Sequence, residues 1–138
     1  MKKTFIAAII VAALWAAPSG AAAEGADWRF IQNSGDNSII YYDAESVVAP
    51  VKNTADVWTR LEVRGKVYSM TLFEVSCADR RLRTLIKYGF DNAANAVIDL
   101  PGSDDAYPTR WTYIVPETFE AKLAKAVCAK IKEKEGGN

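Results

Sequence analysis

The chain has 138 residues, half of them hydrophobic, and balances 17 Lys and Arg against 17 Asp and Glu at pH 7. Histidine is absent, which excludes Ser-His and Cys-His nucleophilic chemistry and any His-ligated metal centre. The even charge balance leaves no basic footprint for a nucleic acid.

Lys2 and Lys3 open the chain, and Phe5 to Ala17 follow as an almost wholly apolar run. Pro18-Ser19-Gly20 breaks it before Ala21-Ala22-Ala23. A basic start, a short apolar stretch and small residues at a cleavage position predict a removable secretion signal over residues 1–23. The run is shorter than the roughly 20 residues a membrane-spanning helix needs, so no transmembrane segment is expected after cleavage. Loss of Lys2 and Lys3 leaves residues 24–138 as one slightly acidic domain. Its two cysteines, Cys77 and Cys128, form an even count in an exported chain and so predict a disulfide. Such a bridge closes a loop of about 50 residues, worth about 4 kcal/mol by chain entropy, in a domain small enough to need it.

Period-two patterning runs through most of the domain. Trp28 to Gln32 reads as a first strand, ended by the turn-rich Asn33-Ser34-Gly35-Asp36-Asn37. Ile39 to Tyr42 is a second, and Glu45 to Ala49 is expected to be extended or a short strand before Pro50. Over Asp56 to Arg64, Val57, Thr59, Leu61 and Val63 alternate with Trp58, Arg60, Glu62 and Arg64, so the two sets face opposite ways. Gly65-Lys66 is a hairpin signal leading into Val67 to Cys77, where Val67, Phe73, Val75 and Cys77 share a face. After a turn at Ala78-Asp79, Arg80 to Phe90 is a long strand. Strict alternation puts Leu82, Ile86, Tyr88 and Phe90 on one side, with Arg81, Arg83, Leu85 and Lys87 on the other. Ala96 to Leu100 is a candidate strand, Asp99 to Arg110 a loop, and Trp111 to Ile114 a possible return to the sheet. A helix is expected from Pro116, with Glu117 and Glu120 in its first turn. Its apolar stripe is Phe119, Leu123, Val127 and Ile131, and Gly136-Gly137 ends it.

The expected fold is therefore α+β: an antiparallel β-sheet meander covered by one C-terminal helix, with a strand-to-helix disulfide. The uncovered face would carry Trp58, Tyr68, Met70, Leu72 and Leu85 among charges, enough apolar surface to suggest a packing partner.

Several pieces stand in order along the domain: Trp28, Tyr41-Tyr42-Asp43, Ser46-Val47, Val57-Trp58, Tyr68-Ser69, Glu74 to Arg83, Tyr88, Trp111, Pro116 and Ala126-Val127-Cys128. The block from Glu74 through Cys77 to Arg83 is the most specific. With these residues the chain resembles the surface-adhesin protein E family of small exported Gram-negative domains. The resemblance implies an antiparallel sheet with a C-terminal helix, no enzymatic activity, binding of extracellular-matrix or serum glycoproteins, and a capacity to form homodimers. The family's adhesin is lipid-anchored at its N-terminus. Here no cysteine sits just after the apolar run, so the expected location is the periplasm, the cell surface or the medium, without a lipid anchor.

Arg81, Arg83 and Lys87 are candidates for an exposed basic stripe that docks an acidic partner segment. The alternative is a solvated strand side on which Arg83 pairs with a neighbouring acid such as Glu74. Trp58, on the charged side of its strand, is the first candidate for an aromatic partner-binding anchor, with packing as the other reading for it and for Trp28 and Trp111. Asp99, Asp104 and Asp105 match no twelve-residue calcium loop, and no catalytic dyad or nucleophile motif is legible. The expectation is a non-enzymatic protein-binding module with no metal and no cofactor; a periplasmic accessory protein of the envelope is the alternative.

Overall fold

The computed structural model describes residues 25–99 and 106–137. The secretion-signal stretch, Asp104 and Asp105 lie outside the described residues. Five consecutive antiparallel strands form the body of the sheet: β1 (Trp28–Asn33), β2 (Ser38–Asp43), β3 (Thr54–Val63), β4 (Lys66–Ser76) and β5 (Arg81–Phe90). Beyond β5 lie two short strands on the same edge. β6 (Ala96–Ile98) pairs with Tyr88 to Phe90, and β7 (Thr112–Tyr113) pairs with Arg81 and Leu82. The strand order is the sequence order β1 to β6, the meander expected from hairpin-length connections. The helix α1 (Phe119–Gly136) follows.

Opposed residues of an antiparallel ladder share a face, so the register sorts the side chains. On one face Leu82, Val75 and Ala55 lie in a row, beside Thr84, Phe73 and Val57. Helix α1 lies on this face. Leu123 and Val127 are fully buried and Ile131 nearly so, against Val47, Ala55, Val57, Val75 and Leu82. Phe119 meets Phe73 with ring centroids 5.7 Å apart. Burying each of these aliphatic side chains contributes about 1.5–3 kcal/mol. The four-residue stripe read from the sequence is the stripe that packs. Cys77, one residue past β4, joins Cys128 in α1, and both half-buried cysteines pack against the same core.

Two local expectations are corrected. The helix does not begin at Pro116. Thr118 is the N-cap, its hydroxyl accepting from the Ala121 amide at 3.3 Å, and Glu117 sits outside at φ 65°. Threonine satisfies an orphan amide that valine or proline cannot, which moves the start three residues on. Glu45 is not extended either. Ala44–Ser46 is a short 3₁₀ turn whose cap is Asp43. The Asp43 carboxylate accepts from the Asp27 and Glu45 amides at 2.9 and 3.0 Å. An isolated bridge then joins Val48 to Asp56.

Candidate partner-binding face

The side of the sheet away from α1 is lined by a second set of ladder rows. Trp58, Leu72 and Ile86 are opposed in register, and so are Phe30, Tyr41, Arg60, Met70 and Tyr88. Among the described residues the only helix lies on the other face. Trp58 is half-buried and stacks on Tyr88 with centroids 6.1 Å apart and ring planes 28° apart. Arg60 lies over the rings of Trp28 and Tyr41, at 4.5 and 5.0 Å, and its guanidinium pairs with Glu62 at 2.8 Å. Tyr41 and Tyr42 point oppositely, as alternation requires; Tyr42 packs against the core under α1.

At the end near the disulfide, Asp56, Glu74 and Arg83 are opposed on β3, β4 and β5. Arg83 donates from one terminal nitrogen to both Glu74 oxygens at 3.1 Å and lies 4.6 Å from the Trp111 ring centroid. Arg81 pairs with Asp79 at 3.1 Å and stands over Tyr113. Burial, then the Glu74 charge beside it, raises the Asp56 carboxyl above its usual range, against the opposing pull of Arg83. The Asp56 Oδ1, Arg60 Nε and Arg83 Nε atoms are buried without a hydrogen-bond partner, and all three side chains stand on this face. Each guanidinium–ring contact is worth roughly 0.5–2 kcal/mol, more where water is excluded.

The basic stripe expected from strict alternation does not form. β4 and β5 change register between Leu72 and Phe73, so Phe73 opposes Thr84 while Leu72 opposes Ile86. Leu85 is the extra residue of a bulge, and a one-residue insertion turns the following side chains over. Arg81 and Arg83 therefore stand on the outward face, whereas Lys87 opposes Thr71 on the helix side and pairs with Asp99 at 2.8 Å. Ile86 and Tyr88, expected beside Leu82, join Trp58 outside instead. A second register shift, between Leu61 and Glu62, sets Val67 opposite Glu62 and away from the Phe73 row. Thus Trp58, Arg81 and Arg83 share a face, and Lys87 does not. The pairing of Arg83 with Glu74 is as the alternative reading had it. Arg60 was not singled out from the sequence; its place between Trp28 and Tyr41 depends on β1, β2 and β3 being adjacent, and a lone Arg in an alternating strand gives no sign of that.

Residues 28–129 match the family described as Surface-adhesin protein E. The chain belongs to this family. Membership points to a surface adhesin without enzymatic activity, at the surface or exported, and agrees with the resemblance borne by the Glu74–Arg83 block. Searches of curated proteins and of solved structures return no match. Among the described residues no helix is long and apolar enough to cross a membrane.

Proposed function

We propose that this adhesin E member is an exported, non-enzymatic protein-binding module whose outward sheet face engages its partner, an extracellular-matrix or serum glycoprotein, with Trp58 as the central anchor. One observation carries the reading. Trp28, Tyr41, Trp58, Met70, Leu72, Ile86 and Tyr88 share a sheet face that no helix of the described residues covers. Aromatic and arginine side chains grouped at the middle of a surface are the usual composition of a binding hot spot, and contiguous apolar surface of this kind marks protein contacts. Arg60 and Arg83 stiffen the surface: each is held by a carboxylate and by rings of the same chain, so little side-chain freedom is lost on docking. Two copies could also pair through this face, with the same residues at the centre.

The test is binding of the disulfide-bonded domain to immobilised matrix and serum glycoproteins, with Trp58→Asp as the probe variant and sedimentation to report self-association. Loss of binding by at least tenfold at an unchanged melting temperature supports the assignment of the face. Unchanged binding by a folded Trp58→Asp variant refutes it. Fractionation, with antibody labelling of intact cells, tests the location: a signal confined to the periplasm removes the adhesin reading and favours an envelope accessory role.

A further inference from the structure

Between α1 and the chain after β7 a cleft of about 400 Å³ runs beside the disulfide, and Trp58 is not among the residues that line it. Its lining includes Ser76, Cys77, Arg80, Ile114, Ala121, Ala124, Lys125 and Cys128. From α1 the cleft is lined by Ala121, Ala124, Lys125 and Cys128, and from the chain after β7 by Ile114. Its apolar lining is the half-buried cysteines, Ala121, Ala124 and Ile114. A smaller cleft on the other side of Ile114 continues the apolar tract past Tyr113 and Val115, both largely exposed.

The charged residues lining the larger cleft are of one sign. Arg80 and Lys125 are exposed, and neither has an ion-pair partner among the described residues. Asp79, next to Arg80 in the chain, is engaged elsewhere: its carboxylate accepts from Arg81 and from the Ser76 hydroxyl. The Ser76 oxygen in turn accepts from the Asp79 amide. An apolar slot thus opens beside two cations, and the acid adjacent to Arg80 in the chain is already paired with Arg81.

We infer that this cleft binds a small amphipathic carboxylate, its apolar body between Ile114 and the Ala121–Ala124 flank and its anionic head between Arg80 and Lys125. A bare inorganic anion would leave the apolar floor unfilled, and a neutral hydrocarbon would leave the two cations unanswered. The volume lies at the lower end of small-molecule sites, which run from roughly 300 to 1,000 Å³, so the body is a short chain or a single ring. Each methylene that enters the slot strengthens binding about fourfold.

The site is tested by titrating the full disulfide-bonded domain with hexanoate, octanoate and octan-1-ol while following amide and methyl resonances. Saturable shifts are expected at Ile114, Ala121, Ala124 and Lys125. Octanoate should bind about fifteenfold more tightly than hexanoate, and at least tenfold more tightly than octan-1-ol. Lys125→Gln, an exposed helix substitution that keeps the fold, and Arg80→Asn, which suits the positive φ of 53° there, should together abolish the preference for octanoate over the alcohol. Equal affinity for octanoate and octan-1-ol, shifts centred on other residues, or no saturation with any of the three overturns the inference. Because Trp58 does not line the cleft, Trp58→Asp should leave octanoate binding unchanged; this separates failure of the cleft from failure of the adhesin reading.

Discussion

Removing the bridge between Cys77 and Cys128 should cost this domain a large part of its margin without dissolving its fold. The bond joins residues 51 positions apart. In the chain-entropy description, releasing a loop of that size restores about 4 kcal/mol of freedom to the unfolded chain. Two half-buried sulfurs that pack on the core are lost as well, so Cys77→Ala/Cys128→Ala is expected to be about 3–5 kcal/mol less stable. A single domain has roughly 5–15 kcal/mol in total. The helix is nonetheless held by more than the bridge: Leu123, Val127 and Ile131 are buried against β3, β4 and β5. The variant should therefore keep its far-UV circular dichroism in buffer and unfold at lower urea. Tryptophan fluorescence during urea unfolding measures both the midpoint and the slope. The slope should rise, because an uncrosslinked denatured chain exposes more surface. A loss under about 1 kcal/mol with an unchanged slope would refute the reasoning, since it would mean the bridge restricts neither state.

Leu123→Ala empties a fully buried position under the sheet and should cost about 2–5 kcal/mol, read as a fall in urea midpoint with the slope preserved. Glu74→Gln removes the carboxylate that Arg83 grips with paired 3.1 Å contacts. The ion pair is largely buried, with Arg83 28% and Glu74 14% exposed, so a loss of about 1–3 kcal/mol is expected, and Glu74→Gln/Arg83→Met should recover part of it in a double-variant cycle. Asp56 has a raised folded-state carboxyl, so the folded protein holds this proton at a higher pH than the unfolded chain does. Stability from this group accordingly falls as pH rises from its ordinary value through its raised one, and is regained on acidification. Asp56→Asn should stabilise the neutral-pH protein and remove that part of the pH dependence; a variant less stable at pH 7 with an unaltered pH profile would contradict it.

The β-strands, the final helix and the disulfide are legible in the chain because each depends on neighbours a few residues away. Val57-Thr59-Leu61 alternates at period two and Phe119-Leu123-Val127-Ile131 recurs at every fourth residue, and local geometry turns those spacings into a half-buried strand and a one-sided helix. Two cysteines in an exported chain leave one intramolecular pairing. The family resemblance, too, lies in short blocks such as Glu74–Arg83 that can be read without coordinates. The candidate face was legible only in part: Trp58 and the Arg83–Glu74 contact follow from alternation on neighbouring strands, but the basic stripe through Lys87 does not survive folding.

What alternation could not supply is the position of the bulges. The extra residue at Leu85 lies where β5 is paired with β4 on one side and with the segment around Thr109–Tyr113 on the other, an arrangement spread over three distant stretches of chain. That insertion sends Lys87 to the helix side, brings Ile86 and Tyr88 beside Trp58, and so determines which residues form the outward face. Likewise, Arg60 meets Trp28 and Tyr41, and Arg83 meets Trp111, only once non-adjacent segments are laid side by side. The strands, the helix apart from its start, the bridge and the family are legible in the order of residues; the composition of each sheet face is not, because strand register is an agreement between neighbours and not a property of any one strand.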